Sequence, residues 1–297
     1  MRLIECVPNV SEGRDSAAIE RIVGAVKGSP GVELLDWSAD PDHNRAVLTY
    51  VGEPEAVLAA TQALCREAFA AIDMRDHQGA HPRMGAVDVI PFVPLSGVTN
   101  EEAVGLARRL GEWIGEQGVP VYYYQEAATR PERQSLPDVR RGEYEGLAAR
   151  LATPEGAPDA GPAEFNARSG ASIVGVRFAL IAFNVNLATD DLSIAKRIAE
   201  AVRFSGGGYR HVRAMGVALE DKGQVQVSMD FLQYEKTPIH RVLETIRSEA
   251  ARYGVAVAGC ELVGLAPLAV FEEVIRHYLQ LPDFSVDQII ESRLLEM

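Results

Sequence analysis

Two histidines four residues apart, His77 and His81, lie in Asp76–Gly85, a segment that reads DHQGAHPRMG. The unperturbed pKa of histidine suits proton transfer near neutral pH, so either ring could act as an acid or a base. A metal site is an alternative, but it needs a third ligand and a helical spacing that Gly79 and Pro82 disfavour. An ordinary polar loop is the third interpretation, and the segment alone does not decide among them.

A second polar segment, Asp40–Arg45, reads DPDHNR and lies between two predicted strands. Aspartate and asparagine in a short loop commonly form Asx turns, which is the simplest interpretation. The functional alternative is that a carboxylate, from Asp40 or Asp42, orients a histidine of the first segment. Neither interpretation prevails from this segment alone.

Two further segments could bind an anion. Glu5–Arg14 is a polar loop between a strand and a helix, where backbone N–H groups can face an anion, although the start of the helix explains the same residues. The segment Gly161–Gly170 has a composition typical of an interdomain linker. Alternatively, Phe165 and Arg168 could line a pocket for a flat anionic ligand, because guanidinium groups bind carboxylates.

The elements that must hold these segments alternate between strand-like and helix-like patterns. After Asp15 or Ser16, either of which can cap a helix, apolar residues recur at helical spacing from Ile19 to Val26. Each half of the chain follows the order β-α-β-β-α-β, and the first half has an additional α-β pair. This order predicts an α/β (α+β) protein with two ferredoxin-like subdomains, in which helices pack on mixed sheets.

We place the boundary between an N-terminal subdomain of residues 1–170, which holds the histidine segment, and a C-terminal subdomain of residues 171–297. Residues 130–170 contain five prolines and are predicted to be mostly linker or loop, with a short helix near 143–151. Residues 173–187 are predicted to form one long apolar strand region.

Composition and charge argue against several classes of protein. The formal net charge of −13 disfavours a general binder of polyanions, including RNA. The three cysteines, Cys6, Cys65 and Cys260, are far apart, which disfavours a disulfide framework or a thiolate zinc site. The sequence has no signal-peptide pattern and no apolar run of about 20 residues, so a cytoplasmic protein is expected.

Several stretches, in the same order along nearly the whole chain, resemble the glutamate formimidoyltransferase family. They are ECVPNVSEGRD, DPDHNRAVLTYVG, IDMRDHQGAHPRMGAVDVIPFVPL, VPVYYYQEAA, RRGEYEGL, GPAEFNARSGASIVGVRFALIAFNVNL and ELVGLAPLAV.

The resemblance implies transfer of the formimino group from N-formimino-L-glutamate to N5 of tetrahydrofolate, a step of histidine breakdown. It also implies two α/β subdomains with folate in a tunnel between them, a homodimer, tetrahydrofolate as co-substrate and no metal or nucleotide. The chain ends where the animal protein continues into a cyclodeaminase. We therefore expect the stand-alone form, and a separate cyclodeaminase is a candidate partner.

The catalytic histidine of the family lies in an HPRMG motif, which falls on His81. We assign a carboxylate of Asp40 or Asp42 to orient this ring, and Arg45 and Arg83 to bind substrate carboxylates. The stretch that resembles the folate-binding segment runs from Gly161 to Gly170. The other residues assigned to substrate binding are Asn9, Asn44, Gly161, Pro162, Ala163, Glu164, Phe165, Asn166, Ala167, Arg168, Ser169 and Gly170.

Three alternatives remain open from the sequence. The donor could be N-formyl-L-glutamate, which would give 5-formyl-tetrahydrofolate. The chain could be a non-catalytic folate-binding partner of a cyclodeaminase, although the undisturbed motif at His81 disfavours this. A metal hydrolase that uses His43, His77 and His81 is the third alternative.

Overall fold

The computed structural model describes residues 2–295, which form two units that divide between Arg177 and Phe178. The first unit is built on a seven-stranded sheet, and its strands follow the spatial order β3-β4-β1/β2-β5-β7-β6. They are β1 (Leu3–Cys6), β2 (Asn9–Val10), β3 (Val32–Asp40), β4 (Arg45–Gly52), β5 (Val87–Ser96), β6 (Val121–Gln125) and β7 (Ser172–Val176).

The first five strands, with helices α1 (Ser16–Lys27) and α2 (Pro54–Ala71), form the predicted ferredoxin-like pattern. Helix α3 (Asn100–Glu116) connects β5 to β6, and β7 then pairs in parallel with both strands. The three helices bury apolar side chains in one core with one face of the sheet. Of the two predicted caps, Asp15 caps α1: its carboxylate accepts hydrogen bonds from two backbone N–H groups, and Ser16 is the first residue of the helix.

Residues 130–170 contain more regular structure than the sequence predicts. They form a 3₁₀ turn at Pro131–Arg133 and helices α4 (Leu136–Val139) and α5 (Glu143–Leu151). The two helices pack on the opposite face of the sheet, over β6 and β7. The predicted short helix near 143–151 is confirmed, whereas most of the segment is not a linker between units, because it covers a core of its own.

The second unit has a four-stranded antiparallel sheet in the order β11-β8-β10-β9, which is the ferredoxin-like order. Helices α6 (Leu192–Val202) and α7 (Ile239–Ala251) share its core, and α8 (Leu268–Tyr278) and α9 (Ile290–Leu295) follow. The strands are β8 (Ile181–Leu187), β9 (Val212–Leu219), β10 (Gln224–Phe231) and β11 (Val257–Val263). The predicted mixed α/β architecture with two ferredoxin-like subdomains is therefore confirmed.

Residues 173–187 form two strands, β7 and β8, rather than one strand region. The two strands belong to different sheets, and residues 177–180 connect them. Both strands are apolar. The sequence pattern therefore indicates that they are buried, but it does not indicate which sheet each strand joins. The units accordingly divide between Arg177 and Phe178, whereas the boundary was expected between Gly170 and Ala171.

None of the helices in residues 2–295 combines the length and the apolar character needed to cross a membrane.

Candidate functional site

Three loops of the first unit meet around Asn44. Its side-chain oxygen accepts a hydrogen bond from Gly13 N (2.9 Å), and its amide donates to the carbonyl of Gln78 (3.0 Å). Asn44 has a φ of 48°, a left-handed conformation that asparagine tolerates better than most residues. It therefore joins the loop after β2, the tip of the β3–β4 hairpin and the loop between α2 and β5.

Two glycines allow the backbones of these loops to touch. A Cβ on Gly13 would lie 2.2 Å from the carbonyl oxygen of Asp40, and a Cβ on Gly79 would lie 2.2 Å from that of His43. Both distances are far shorter than any van der Waals contact, so only glycine fits without movement of the backbone.

We expect Gly79→Ala to lower the free energy of unfolding by about 1–3 kcal/mol, because the added methyl group must push the hairpin tip away. Chemical denaturation measures the change. Gly24→Ala in α1 is the matched control, since nothing lies within 4 Å of its Cβ position. That substitution should stabilise the protein by about 0.5–1 kcal/mol, because alanine favours a helix. Equal effects of the two substitutions would contradict the close packing.

His81 lies half-buried in the loop between α2 and β5, beside Arg45. Its Nε2 is 2.5 Å from a guanidinium nitrogen of Arg45. Its Nδ1 is buried and has no well-formed hydrogen bond to any residue that the structure describes. Burial lowers the pKa of His81 to about 3; Arg45 and Arg140 act in the same direction, and the backbone of Pro82 opposes them. The ring is therefore neutral at physiological pH.

The hairpin tip forms the Asx turn that its composition predicts. One carboxylate oxygen of Asp40 accepts the backbone N–H groups of Asp42 and His43, and the other lies 2.6 Å from His43 Nδ1. The hydrogen bonds from His43 lower the pKa of Asp40. Asp42 contributes its carbonyl, which accepts from Ala80 N (3.2 Å). In this structure Asp40 thus orients His43, and the histidine that we assigned to catalysis contacts Arg45 instead.

His43 links the two segments through its ring. The centroids of His43 and His81 are 6.1 Å apart, and the rings meet edge to face. Any orienting effect of Asp40 on His81 therefore passes through His43.

His77 has a structural environment that differs from that of His81. Its Nε2 donates to the carbonyl of Asn44 (2.9 Å), and its Nδ1 accepts from Arg83 Nε (3.2 Å). Arg83 is buried and forms a bidentate ion pair with Glu145 (2.6 and 2.8 Å). These contacts hold the loop in place. The guanidinium of Arg83, which was predicted to bind a substrate carboxylate, is instead paired with Glu145.

An open cleft of about 450 Å³ lies beside this network. It is lined by His77, Gln78, Gly79, Arg83, Gly142, Glu143 and Glu145. Among residues 2–295, no group of three His, Cys, Asp or Glu side chains has an arrangement that could hold a metal ion.

Arg140 acts on His81 through its charge, although the sequence does not predict such a role. It forms an ion pair with the buried carboxylate of Asp88, which also accepts a hydrogen bond from Met84 N (2.8 Å). Its charge lowers the pKa of His81. Only its occurrence in RRGEYEGL could have indicated a role, because residue 140 lies in a segment that was expected to be mostly loop.

The segment Gly161–Gly170 is fixed to the first unit at several points. Asn166 donates to the carbonyl of Gly118 (3.0 Å) and accepts from Ser169 N (2.9 Å). Gly170 has a φ of 66° and packs against the backbone of Met84. The segment is therefore a fixed surface loop rather than a flexible linker.

The two residues of this loop that were expected to line a pocket differ in availability. The guanidinium of Arg168 donates to the carbonyl of Ala70 (2.7 Å) at the end of α2 and lies 3.5 Å from Asp73. Phe165 is 39% exposed, and its ring centroid is 5.4 Å from that of Tyr144. An aromatic surface remains available for a flat ligand, whereas the arginine is held by the protein.

Asn9, which was predicted to bind substrate, donates its side-chain amide to the carbonyl of Val7 (3.0 Å).

Comparisons with known proteins identify relatives over the whole chain. Residues 3–177 match the family described as formiminotransferase domain, N-terminal subdomain, and residues 182–295 match the one described as formiminotransferase domain. The chain is 46% identical to a glutamate formimidoyltransferase of Streptococcus pyogenes serotype M1, with 99% of each chain covered. It is 45% identical to that of Thermoplasma acidophilum, with 99% and 98% covered. A formimidoyltransferase-cyclodeaminase of Rattus norvegicus is 44% identical over 93% of this chain and 52% of its own length.

Proposed function

The chain belongs to the formiminotransferase family, and on that premise we infer that it is a glutamate formimidoyltransferase. It transfers the formimino group from N-formimino-L-glutamate to N5 of tetrahydrofolate, which gives 5-formimino-tetrahydrofolate and L-glutamate. The observation that carries this conclusion is the identity of 45–46% over the full length of two enzymes with that name. Tetrahydrofolate is the co-substrate, and the reaction belongs to histidine breakdown.

The chemistry requires one group that moves protons. N5 attacks the amidine carbon of the donor and forms a tetrahedral intermediate. Collapse of the intermediate expels the amine of glutamate, which leaves readily only when it is protonated. A single base that takes the proton from N5 and delivers it to the leaving nitrogen completes the reaction, and His81 is that residue in our proposal.

Substrate carboxylates require cationic partners. Arg45 is our candidate, because it lies directly beside His81, whereas Arg83 is committed to Glu145. The exposed ring of Phe165 in the loop Gly161–Gly170 offers a surface on which the flat pterin or benzoyl group of folate could stack. Asn44 supports the site by holding its loops together.

Three further features belong to the proposal and follow from the resemblance to the family. They are assembly as a homodimer, a cytoplasmic location, and cooperation with a cyclodeaminase that consumes the product.

A turnover assay on both donors tests the proposal. We expect 5-formimino-tetrahydrofolate to form from N-formimino-L-glutamate at a kcat/KM well above that for formyl transfer from N-formyl-L-glutamate. Activity on the formyl donor alone would be consistent with the assigned site, but it would show that the donor substrate is N-formyl-L-glutamate. Binding of tetrahydrofolate without turnover of either donor would favour the folate-binding partner instead.

A further inference from the structure

The contact between His81 and Arg45 restricts the proton positions of the imidazole. A guanidinium has donors only, and a neutral imidazole has one donor and one acceptor nitrogen. Since Nε2 is 2.5 Å from Arg45, it must accept the hydrogen bond. The ring proton is therefore on Nδ1, which is buried.

This arrangement leaves His81 unable to act as a base. The lone pair of Nε2 is the acceptor of the neutral ring, and the hydrogen of Arg45 occupies it. A proton from N5 of tetrahydrofolate can reach Nε2 only after Arg45 moves away. The structure thus shows a ring in the correct neutral state whose reactive atom is covered.

We propose that Arg45 is a positioning residue that covers Nε2 of His81 in the ligand-free enzyme and uncovers it when a substrate carboxylate binds the guanidinium. This inference rests on the proposed role of His81. Arginine and carboxylate form bidentate, charge-assisted pairs that are stronger than a bond to a neutral nitrogen. The glutamyl part of the donor carries two carboxylates, so binding of the donor would make the base available.

The charges around His81 determine the direction of the effect. Two arginines lower the pKa of His81 through their charges, Arg45 of β4 and Arg140 of the segment after α4, and His43 of the hairpin tip acts in the same direction. Arg140 forms an ion pair with Asp88, and His43 contacts Asp40. A carboxylate bound to Arg45 adds a negative charge beside the guanidinium that contacts the ring, so the pKa of His81 should rise.

Thermodynamic linkage makes the coupling reciprocal. If the carboxylate raises the affinity of His81 for a proton, protonation of His81 must raise the affinity for the carboxylate by the same factor. The proton moves from N5 to Nε2 and then to the leaving nitrogen of glutamate, so no additional reagent is consumed.

Titration of the histidines by NMR tests the proposal without reference to turnover. The His81 signals are assigned by their absence in His81→Gln. In the ligand-free enzyme we expect His81 to stay neutral down to about pH 4, since its pKa is about 3. Saturating L-glutamate should raise this pKa by at least about one unit, a tenfold change in proton affinity. Potassium chloride at equal ionic strength should not.

Substitutions of two arginines test whether the effect of L-glutamate on the pKa of His81 depends on Arg45 specifically. Arg45→Met should raise the pKa of His81 without ligand and abolish the response to L-glutamate. Arg141→Met is the matched control, because Arg141 is exposed and pairs with Asp138, and it should keep the wild-type response. A wild-type pKa that is indifferent to L-glutamate, or a response that persists in Arg45→Met, would overturn the coupling. The turnover of His81→Gln tests the catalytic role separately.

Discussion

His81→Gln is expected to lower kcat by about 10²–10⁴-fold, which is the usual contribution of a general acid–base group. Glutamine has a similar size and can still accept a hydrogen bond from Arg45, but it cannot take and return a proton. Because Nδ1 of His81 has no well-formed hydrogen bond within residues 2–295, the substitution should leave the melting temperature within a few degrees of wild type. Steady-state kinetics with tetrahydrofolate and N-formimino-L-glutamate measure the loss.

His77→Gln is the matched control in the same loop. His77 holds the carbonyl of Asn44 and the guanidinium of Arg83, so its replacement should lower the melting temperature more than it lowers kcat. If His77→Gln instead abolished turnover in a stable protein while His81→Gln remained active, the assignment of the catalytic histidine would be reversed.

Much of the fold could be predicted from sequence because local signals agree with the tertiary structure. The cap at Asp15 depends on a few adjacent residues. The apolar periodicity of α1 likewise marks the face that is buried. The division of residues 173–187 between two sheets could not be predicted, since strand pairing depends on residues far away in the sequence.

In the candidate site, too, the contacts between distant segments could not be predicted from the sequence. The sequence identified the segments that contain His81 and Arg45, but not that Arg45 would occupy Nε2. Nor did it indicate that Glu145 would hold Arg83, or that the charge of Arg140 would act on His81. The pairing of Arg83 with Glu145 depends on α5 packing beside the histidine loop, an arrangement that periodicity does not specify.

The ion pair between Asp88 and Arg140 is expected to be important for stability. The side chain of Asp88 is 2% exposed and that of Arg140 is 13% exposed. The Nε of Arg140 is buried without a hydrogen bond to any described residue. The carboxylate of Asp88 is therefore the main group that offsets the cost of burying the guanidinium charge. Asp88→Asn should lower the free energy of unfolding by about 3–5 kcal/mol, the usual cost of leaving a buried charge unpaired. Urea denaturation measures this change.

The matched control is the exposed pair Arg109–Glu55, whose side chains are 53% and 71% exposed. Solvent screens such a pair, so Glu55→Gln should change stability by about 1 kcal/mol at most.

A double-mutant cycle distinguishes the unpaired charge from lost packing. If the cost of Asp88→Asn comes from the charge of Arg140, it should shrink to about 1 kcal/mol or less when Arg140 is first replaced by methionine. Additive effects would show that packing around residue 88 dominates.

The same variants should also change the pKa of His81, because the charge of Arg140 acts more strongly on His81 when Arg140 is unpaired. Asp88→Asn should therefore lower the pKa of His81 further, and Arg140→Met should raise it whether or not Asp88 is present.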